Sequence, residues 1–229
     1  MFKKDIDFIP LNSSHYHVAV IPDGARRWAN CHHLSYRESY DVMCQRLKEL
    51  IEFLYLKDIE IISVYFSSMN NFKRPSNEVM AFCNAERDFI MQWLPDLSKK
   101  YNIRVKIAGI EEGLNDDLKI AIKEIEEKTK HCVKRKLFLC INYSSLHEIS
   151  LALHKMDCSN STFVDCLDIP YPVNLLIRTG DANVLSDFLL PQCASARLFF
   201  LKELFNDLQM STVERILEEY RTYDLKYGE

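Results

Sequence analysis

Short apolar runs alternate with stretches of helical periodicity along most of the chain, and no other feature narrows the possible folds so far. His17–Ile21 is an apolar run that ends at Pro22-Asp23-Gly24, which reads as a buried strand followed by a turn. Over 38–57, Val42, Met43, Leu47, Leu50, Ile51 and Leu54 recur at helical spacing, and 60–66 is rich in strand-forming residues. Residues 77–100 place Val79, Phe82, Phe89, Ile90, Trp93 and Leu97 on one side, with Pro95 expected to kink or split the helix. Residues 103–108 alternate as a strand, Asn115 is a candidate cap for a helix running to about 130, and 137–142 is a further strand. A helix near 146–156, a strand over 173–177 and a helix over 211–222 complete the series. Such alternation predicts an α/β fold with a central, mainly parallel β-sheet flanked by helices. A chain of 229 residues can bury a sizeable core as one domain, so a single domain over 1–229 is expected. The most linker-like stretch, 157–162, is short enough to be a surface loop.

Composition removes several classes. The chain has only 5 glycines, at 24, 109, 113, 180 and 228, and no two have the spacing of a dinucleotide-binding G-x-G-x-x-G. A formal net charge of −4 leaves no electrostatic footprint for nonspecific nucleic-acid binding. None of the 8 cysteines forms C-x-x-C or pairs with histidine at zinc spacing, and several lie in apolar runs. They read as reduced thiols of a cytoplasmic protein. Met-Phe-Lys-Lys-Asp-Ile-Asp lacks the apolar segment of a secretory signal, and no apolar stretch is long enough to cross a membrane.

In an open parallel sheet, ligands bind beyond the carboxyl ends of the strands. The residues to read are therefore Asp23 to Trp28, Ser67 to Asn71, Asn142 to Ser145, and Arg178 to Asp181. After the first strand, Gly24 lets the backbone approach a ligand, and a helix start bearing Arg26 and Arg27 suits a phosphate. Asp23 would repel that phosphate unless a cation such as Mg²⁺ lay between them. The alternative is an ordinary Asp-Gly turn with solvated arginines. Arg74 is either a second anion contact or a surface residue ahead of a proline-started helix. Arg178 ends a buried Leu-Leu-Ile run, where a solvated surface role is harder to assign.

Together these motifs resemble the cis-prenyltransferases, the undecaprenyl-diphosphate-synthase-like family, from His17 to about Tyr223. The family's H-x-A-x-I-x-D-G-N-G-R-W-A stands here as His17-Val-Ala-Val-Ile-Pro-Asp-Gly-Ala-Arg-Arg-Trp-Ala29. Its Y-x-F-S-T-E-N-W-x-R-P stands as Tyr65-Phe-Ser-Ser-Met-Asn-Asn-Phe-Lys-Arg-Pro75, and its N-Y-G-G-R as Asn142-Tyr-Ser-Ser-Leu146. The segment from Asn174 to Leu190 matches D-L-x-I-R-T-G-G-E-x-R-x-S-N-F-L-L. The resemblance implies a hydrophobic tunnel between sheet and helices, a homodimer, and Mg²⁺-assisted departure of pyrophosphate from an allylic diphosphate attacked by a second C5 diphosphate. It gives Asp23 the metal and the leaving group, and Gly24, Arg26 and Arg27 the allylic diphosphate. Asn71 and Arg74 fall to binding and catalysis, and Arg178 and Ser186 to the second diphosphate. Ala25, Trp28, Tyr40 and Ser68 complete the expected substrate contacts.

The departures bear on the substrate. Ala25-Arg26 replaces Asn-Gly, Ser39-Tyr40 replaces Gly-His, Val184 replaces an arginine of the second site, and Arg197 replaces a metal-binding glutamate. Arg197 could neutralise a diphosphate directly. Phe66 and Ile141 stand where long-chain members carry small tunnel-wall alanines, which implies a C10–C15 product; simple core packing is the alternative for Phe66. The Pro-Asp-Gly-x-Arg-Arg-Trp variant is also similar to the lavandulyl-type branch, which joins two dimethylallyl diphosphates head-to-middle. The expectation is a short-chain isoprenyl diphosphate synthase using dimethylallyl diphosphate, with isopentenyl or geranyl diphosphate as further candidate substrates. Two alternatives stand: an enzyme that ionises one prenyl diphosphate without coupling, and a non-catalytic partner subunit.

Overall fold

A computed structural model describes residues 16–157 and 161–222. The N-terminal segment read above, Cys158 and the middle of the 157–162 stretch lie outside these residues. Among these residues six strands form one sheet: β1 (His17–Ile21), β2 (Ile61–Tyr65), β3 (Ile103–Ala108), β4 (Arg135–Cys140), β5 (Leu175–Arg178) and β6 (Arg197–Phe200). Their order is β3-β4-β2-β1-β5-β6, and every neighbouring pair is parallel. The central strands β1, β2 and β5 are buried along their whole length, as strands covered on both faces must be. The edge strands β3 and β6 are partly open.

Among the described residues seven α-helices flank the sheet: α1 (Ala25–His32), α2 (Tyr36–Leu56), α3 (Ser76–Gln92), α4 (Leu94–Tyr101), α5 (Asp116–Thr129), α6 (Ser145–Asp157) and α7 (Met210–Arg221). Local chemistry sets their ends. Ser35 and Glu38 form a reciprocal capping box at α2, and the Asn115 side chain accepts from the Leu118 amide to start α5. Pro95 sits in the first turn of α4, and the helical stretch over 77–100 is split at Trp93, one of the two outcomes expected of this proline. The strand β6 was not anticipated. Its Arg-Leu-Phe-Phe is short, begins on a charge and is paired only through β5, so its extended form depends on that neighbour.

The core has two halves. Val18, Val20, Ile62 and Val64 face α2, α3 and α5, while Ala19, Ile21 and Tyr65 face Tyr143, Phe188 and Leu189. His17 joins three segments: its ring lies 2.8 Å from Ser63 Oγ and 3.2 Å from the Pro172 carbonyl. Burial lowers its pKa to about 4, so the ring is neutral. The seven cysteines among the described residues are free. No helix among them is long and apolar enough to cross a membrane.

Candidate active site

Connections leave β1 toward β2 on one side, while β5 pairs with β1 on the other and leads on to β6. The crevice beyond their carboxyl ends is the topological switch point where ligands bind in such sheets. A cavity of about 510 Å³ opens there. It is lined by Asp23 to Arg27 after β1, by Phe66 to Ser68 and Asn71 after β2, by Arg74, and by Arg178 and Ser186 from β5 and its sequel.

Asp23 is held by its backbone and shared by its side chain. Its amide donates to Thr179 Oγ1 at 3.0 Å, and that hydroxyl donates back to the Asp23 carbonyl at 2.8 Å. One carboxylate oxygen takes Arg27 at 3.2 Å and the other takes the buried Arg178 at 2.9 Å. Arg178 also donates to Ser186 Oγ at 2.7 Å and to the Val184 carbonyl at 2.5 Å. Two glycines make this clasp possible. Gly24 has φ 122°, and a Cβ there would meet Leu204 Cδ2 at 2.9 Å. A Cβ on Gly180 would meet the Arg27 guanidinium at 2.5 Å and the Asp23 carbonyl oxygen at 3.0 Å. The N-terminus of α1 has no side-chain cap and no acid in its first turn, so its amides and macrodipole face the mouth uncompensated.

A second charged group sits across the mouth. Buried Glu78 takes Arg74 at 2.9 Å and Arg26 at 3.4 Å, and the Arg26 guanidinium lies 5.6 Å from the Tyr36 ring centre. The Tyr40 hydroxyl lies in the field of Arg74, Glu78 and Arg26, and burial pushes its pKa up to about 12. Asn71 Oδ1 accepts from the Ser68 amide at 2.7 Å and from its hydroxyl at 3.2 Å, which fixes the loop carrying both residues. Four arginines, Arg26, Arg27, Arg74 and Arg178, face two carboxylates, Asp23 and Glu78. The mouth is therefore net positive and rich in forked donors, which suits a diphosphate.

The inner wall is largely apolar and carries one carboxyl. Tyr40, Met43, Phe66 and Phe82 line it, with Tyr40 edge-on to Phe82 and Phe66 edge-on to Phe89. Among them is Glu86, 2% exposed, with neither carboxyl oxygen hydrogen-bonded. Burial raises its pKa to about 8, only partly offset by the Ser67 hydroxyl. Glu86 was missed in the sequence. The signal was there: it lies four residues after Phe82 and three before Phe89, on the buried stripe of α3.

Three expected contacts lie elsewhere. Arg197 starts β6 beside Leu175, three residues short of the carboxyl end where Phe200 faces Arg178. Its guanidinium pairs with the Glu219 side chain and donates to the Glu219 carbonyl of α7, so it takes no part in the cavity wall. Trp28 points away along α1, donating to Asp207 at 2.7 Å and stacking on His32 at 4.0 Å. Ile141 is packed in the main core behind the wall, its carbonyl pressed against Gly109, while Phe66 does line the cavity.

A parallel sheet with a net positive, arginine-forked crevice at its switch point defines a protein that handles a diphosphate bearing an apolar group. Residues 21–228 match a family model described as undecaprenyl diphosphate synthase. The chain belongs to that family of prenyltransferases. The isoprenyl transferase of Campylobacter jejuni is 31% identical over 224 residues, covering 93% of this chain and 97% of its own. A solved structure of a probable undecaprenyl diphosphate synthase from the same species is 27% identical, with TM-score 0.80 over 95% of this chain and 100% of that one. Lavandulyl diphosphate synthase from Lavandula x intermedia, solved with dimethylallyl diphosphate, superposes with TM-score 0.86 at 25% identity, over 93% and 98% of the two chains. The activity class is isoprenyl diphosphate synthesis.

Proposed function

We propose that the protein is a short-chain isoprenyl diphosphate synthase that couples dimethylallyl diphosphate to a second C5 diphosphate, regular or head-to-middle, giving a C10–C15 product. The observation that carries this is the bulk of the apolar lining: Tyr40, Met43, Phe66 and Phe82 present large side chains to a cavity of about 510 Å³, which suits a diphosphate with a short tail. The likeness to a synthase solved with dimethylallyl diphosphate supports the same reading.

Arg26, Arg27 and the amides of α1 would bind the allylic diphosphate, with Asn71 and Arg74 orienting its reacting end. Negative charge grows on the departing pyrophosphate, and donors already in place stabilise that charge more than the ground state. Arg178 and Ser186, held together, would receive the second diphosphate. Among the described residues no three His, Cys, Asp or Glu converge as a metal cage. The Asp23 carboxylate is a hard oxygen donor at the mouth and fits a Mg²⁺ that it would hold together with phosphate oxygens, as is usual for this ion. Such an ion would supply charge neutralisation at the leaving group. The assembly is proposed to be a homodimer, which sedimentation would test.

Purified protein with Mg²⁺ and dimethylallyl diphosphate, with and without isopentenyl diphosphate, should yield a C10–C15 diphosphate by mass spectrometry. Products of C30 or longer, or no product in either mixture, would overturn the reading. One observation favours a second reading, ionisation of a single substrate without coupling: Arg178 already spends donors on Asp23, Val184 and Ser186. Diphosphate-free product from one supplied substrate would select it.

A further inference from the structure

The inner wall carries a group that a hydrocarbon tail cannot use. Glu86 lines the cavity, is 2% exposed, and has both carboxyl oxygens sealed from solvent without a hydrogen-bond partner. Local donors are few: the Cys44 thiol donates to the Ala85 carbonyl at 3.7 Å, and the Ser67 hydroxyl, whose oxygen accepts from the Asn142 amide at 3.1 Å, is the one near donor and only partly offsets the effect of burial. A plain prenyl chain lying against this wall would leave the carboxyl unsatisfied in the complex as well.

A structural role is a poor fit, because the same protein shows what a structural buried glutamate looks like. Glu148 is 3% exposed and accepts from the Tyr143 hydroxyl at 2.5 Å, the Ile169 amide at 3.1 Å and the Gln192 amide at 3.2 Å. Glu86 accepts from none.

We infer that Glu86 is a specificity-determining residue, whose carboxyl turns from its sealed position into the cavity to pair with a hydroxyl on the hydrocarbon tail of an allylic diphosphate bound there. This rests on the cavity being the prenyl diphosphate site. The ligand class follows from the chemistry of the wall. With its pKa raised to about 8, the group is a neutral acid at pH 7, both donor and acceptor, and a hydroxyl is its match in both senses. A cationic tail is a worse match, since the mouth already carries an excess of arginines. The discrimination should be large, because a site built to bond a hydroxyl leaves its own buried polar group unpaired when the hydroxyl is missing.

Calorimetric titration would compare two matched pairs: dimethylallyl against 4-hydroxy-3-methylbut-2-enyl diphosphate, and geranyl against 8-hydroxygeranyl diphosphate, with inorganic pyrophosphate as the reference for the mouth. In the unaltered protein the hydroxylated member of at least one pair should bind tenfold or more tightly. Glu86→Leu should bring that ratio to about one with pyrophosphate affinity unchanged, whereas Glu86→Gln, still donor and acceptor, should keep most of it. Equal binding within both pairs by the unaltered protein would overturn the inference even if Glu86→Leu fails to fold, and so would a preference that survives Glu86→Leu. If pyrophosphate binds and all four prenyl compounds bind no better, the reading of the cavity itself fails.

Discussion

On one face of the sheet Glu148, from α6, accepts three hydrogen bonds, one of them from Tyr143, which is itself packed against Tyr65 and Phe188. On the other face Glu86, from α3, lies among Tyr40, Met43, Phe66 and Phe82 and accepts none. Both are buried, and burial raises the pKa of both. They differ in spare hydrogen-bonding capacity. The Glu148 carboxyl is fully engaged in a polar network that ties α6 to the loops before and after β5. The cavity keeps its polar capacity unspent at the floor and, at the mouth, commits it to arginine pairs that a phosphate can replace. Of the nine unsatisfied buried side-chain polar atoms among the described residues, four belong to Tyr40, Glu86 and Arg178, which line the cavity.

The contrast can be broken at several points. Asp23→Asn removes the charge that faces Arg27 and Arg178 and should lower kcat by about 10²–10³-fold, the usual effect of losing one preorganised charge contact. Far-ultraviolet circular dichroism should be unchanged, and a steady-state assay retaining full rate would refute the role given to the mouth. Glu148→Ala strands the Tyr143, Ile169 and Gln192 donors and should cost about 2–4 kcal/mol in urea unfolding. Glu86→Leu strands nothing and should leave unfolding stability equal or higher at pH 7. Equal losses in the two variants would erase the distinction between network and cavity.

The pH dependence has a definite sign. The folded-state pKa of Glu86 is raised from 4.5 to about 8, so the native state holds a proton there that the unfolded chain has lost. Stability therefore declines as pH rises from about 4.5 to 8 and levels off above it. Glu86→Gln should flatten that decline, so its stability advantage should grow from pH 5 to pH 8 in denaturant titrations; a constant gap would contradict the burial of an unpaired acid. The smallest effect is expected at Arg197. Its pair with Glu219 is remote from the cavity, so Arg197→Ala should cost about 0–1 kcal/mol of stability and leave pyrophosphate affinity within twofold.

Much of the site was legible before any coordinates. Asp23, Arg26, Arg27 and Arg178 each follow or end an apolar run, and the rule that parallel sheets bind ligands at their carboxyl ends placed them together. Phe66 directly follows β2 and lies both in the core cluster and on the cavity lining, so both readings of it meet at one place. Ile141 directly follows β4 but lies in the core, because β4 sits farther from the switch point, between β2 and β3. Arg197 was assigned by motif position alone. Its strand register puts it at the amino end of β6, where α7 rather than a diphosphate answers its charge.

Except for β6, local patterning decided the order of strands and helices, the helix cap at Asn115, the break at Pro95 and the glycines beside Asp23 and Thr179. These depend on contacts only a few residues long, and periodicity records such contacts directly. Tertiary structure decided which arginine meets which carboxylate, since Asp23 and Arg178 are 155 residues apart. It also decided that Glu148 would find partners and Glu86 would not. A carboxyl's cost or use depends on what packs around it in three dimensions, and for Glu86 that surrounding is an apolar cavity wall with the acid left unpaired.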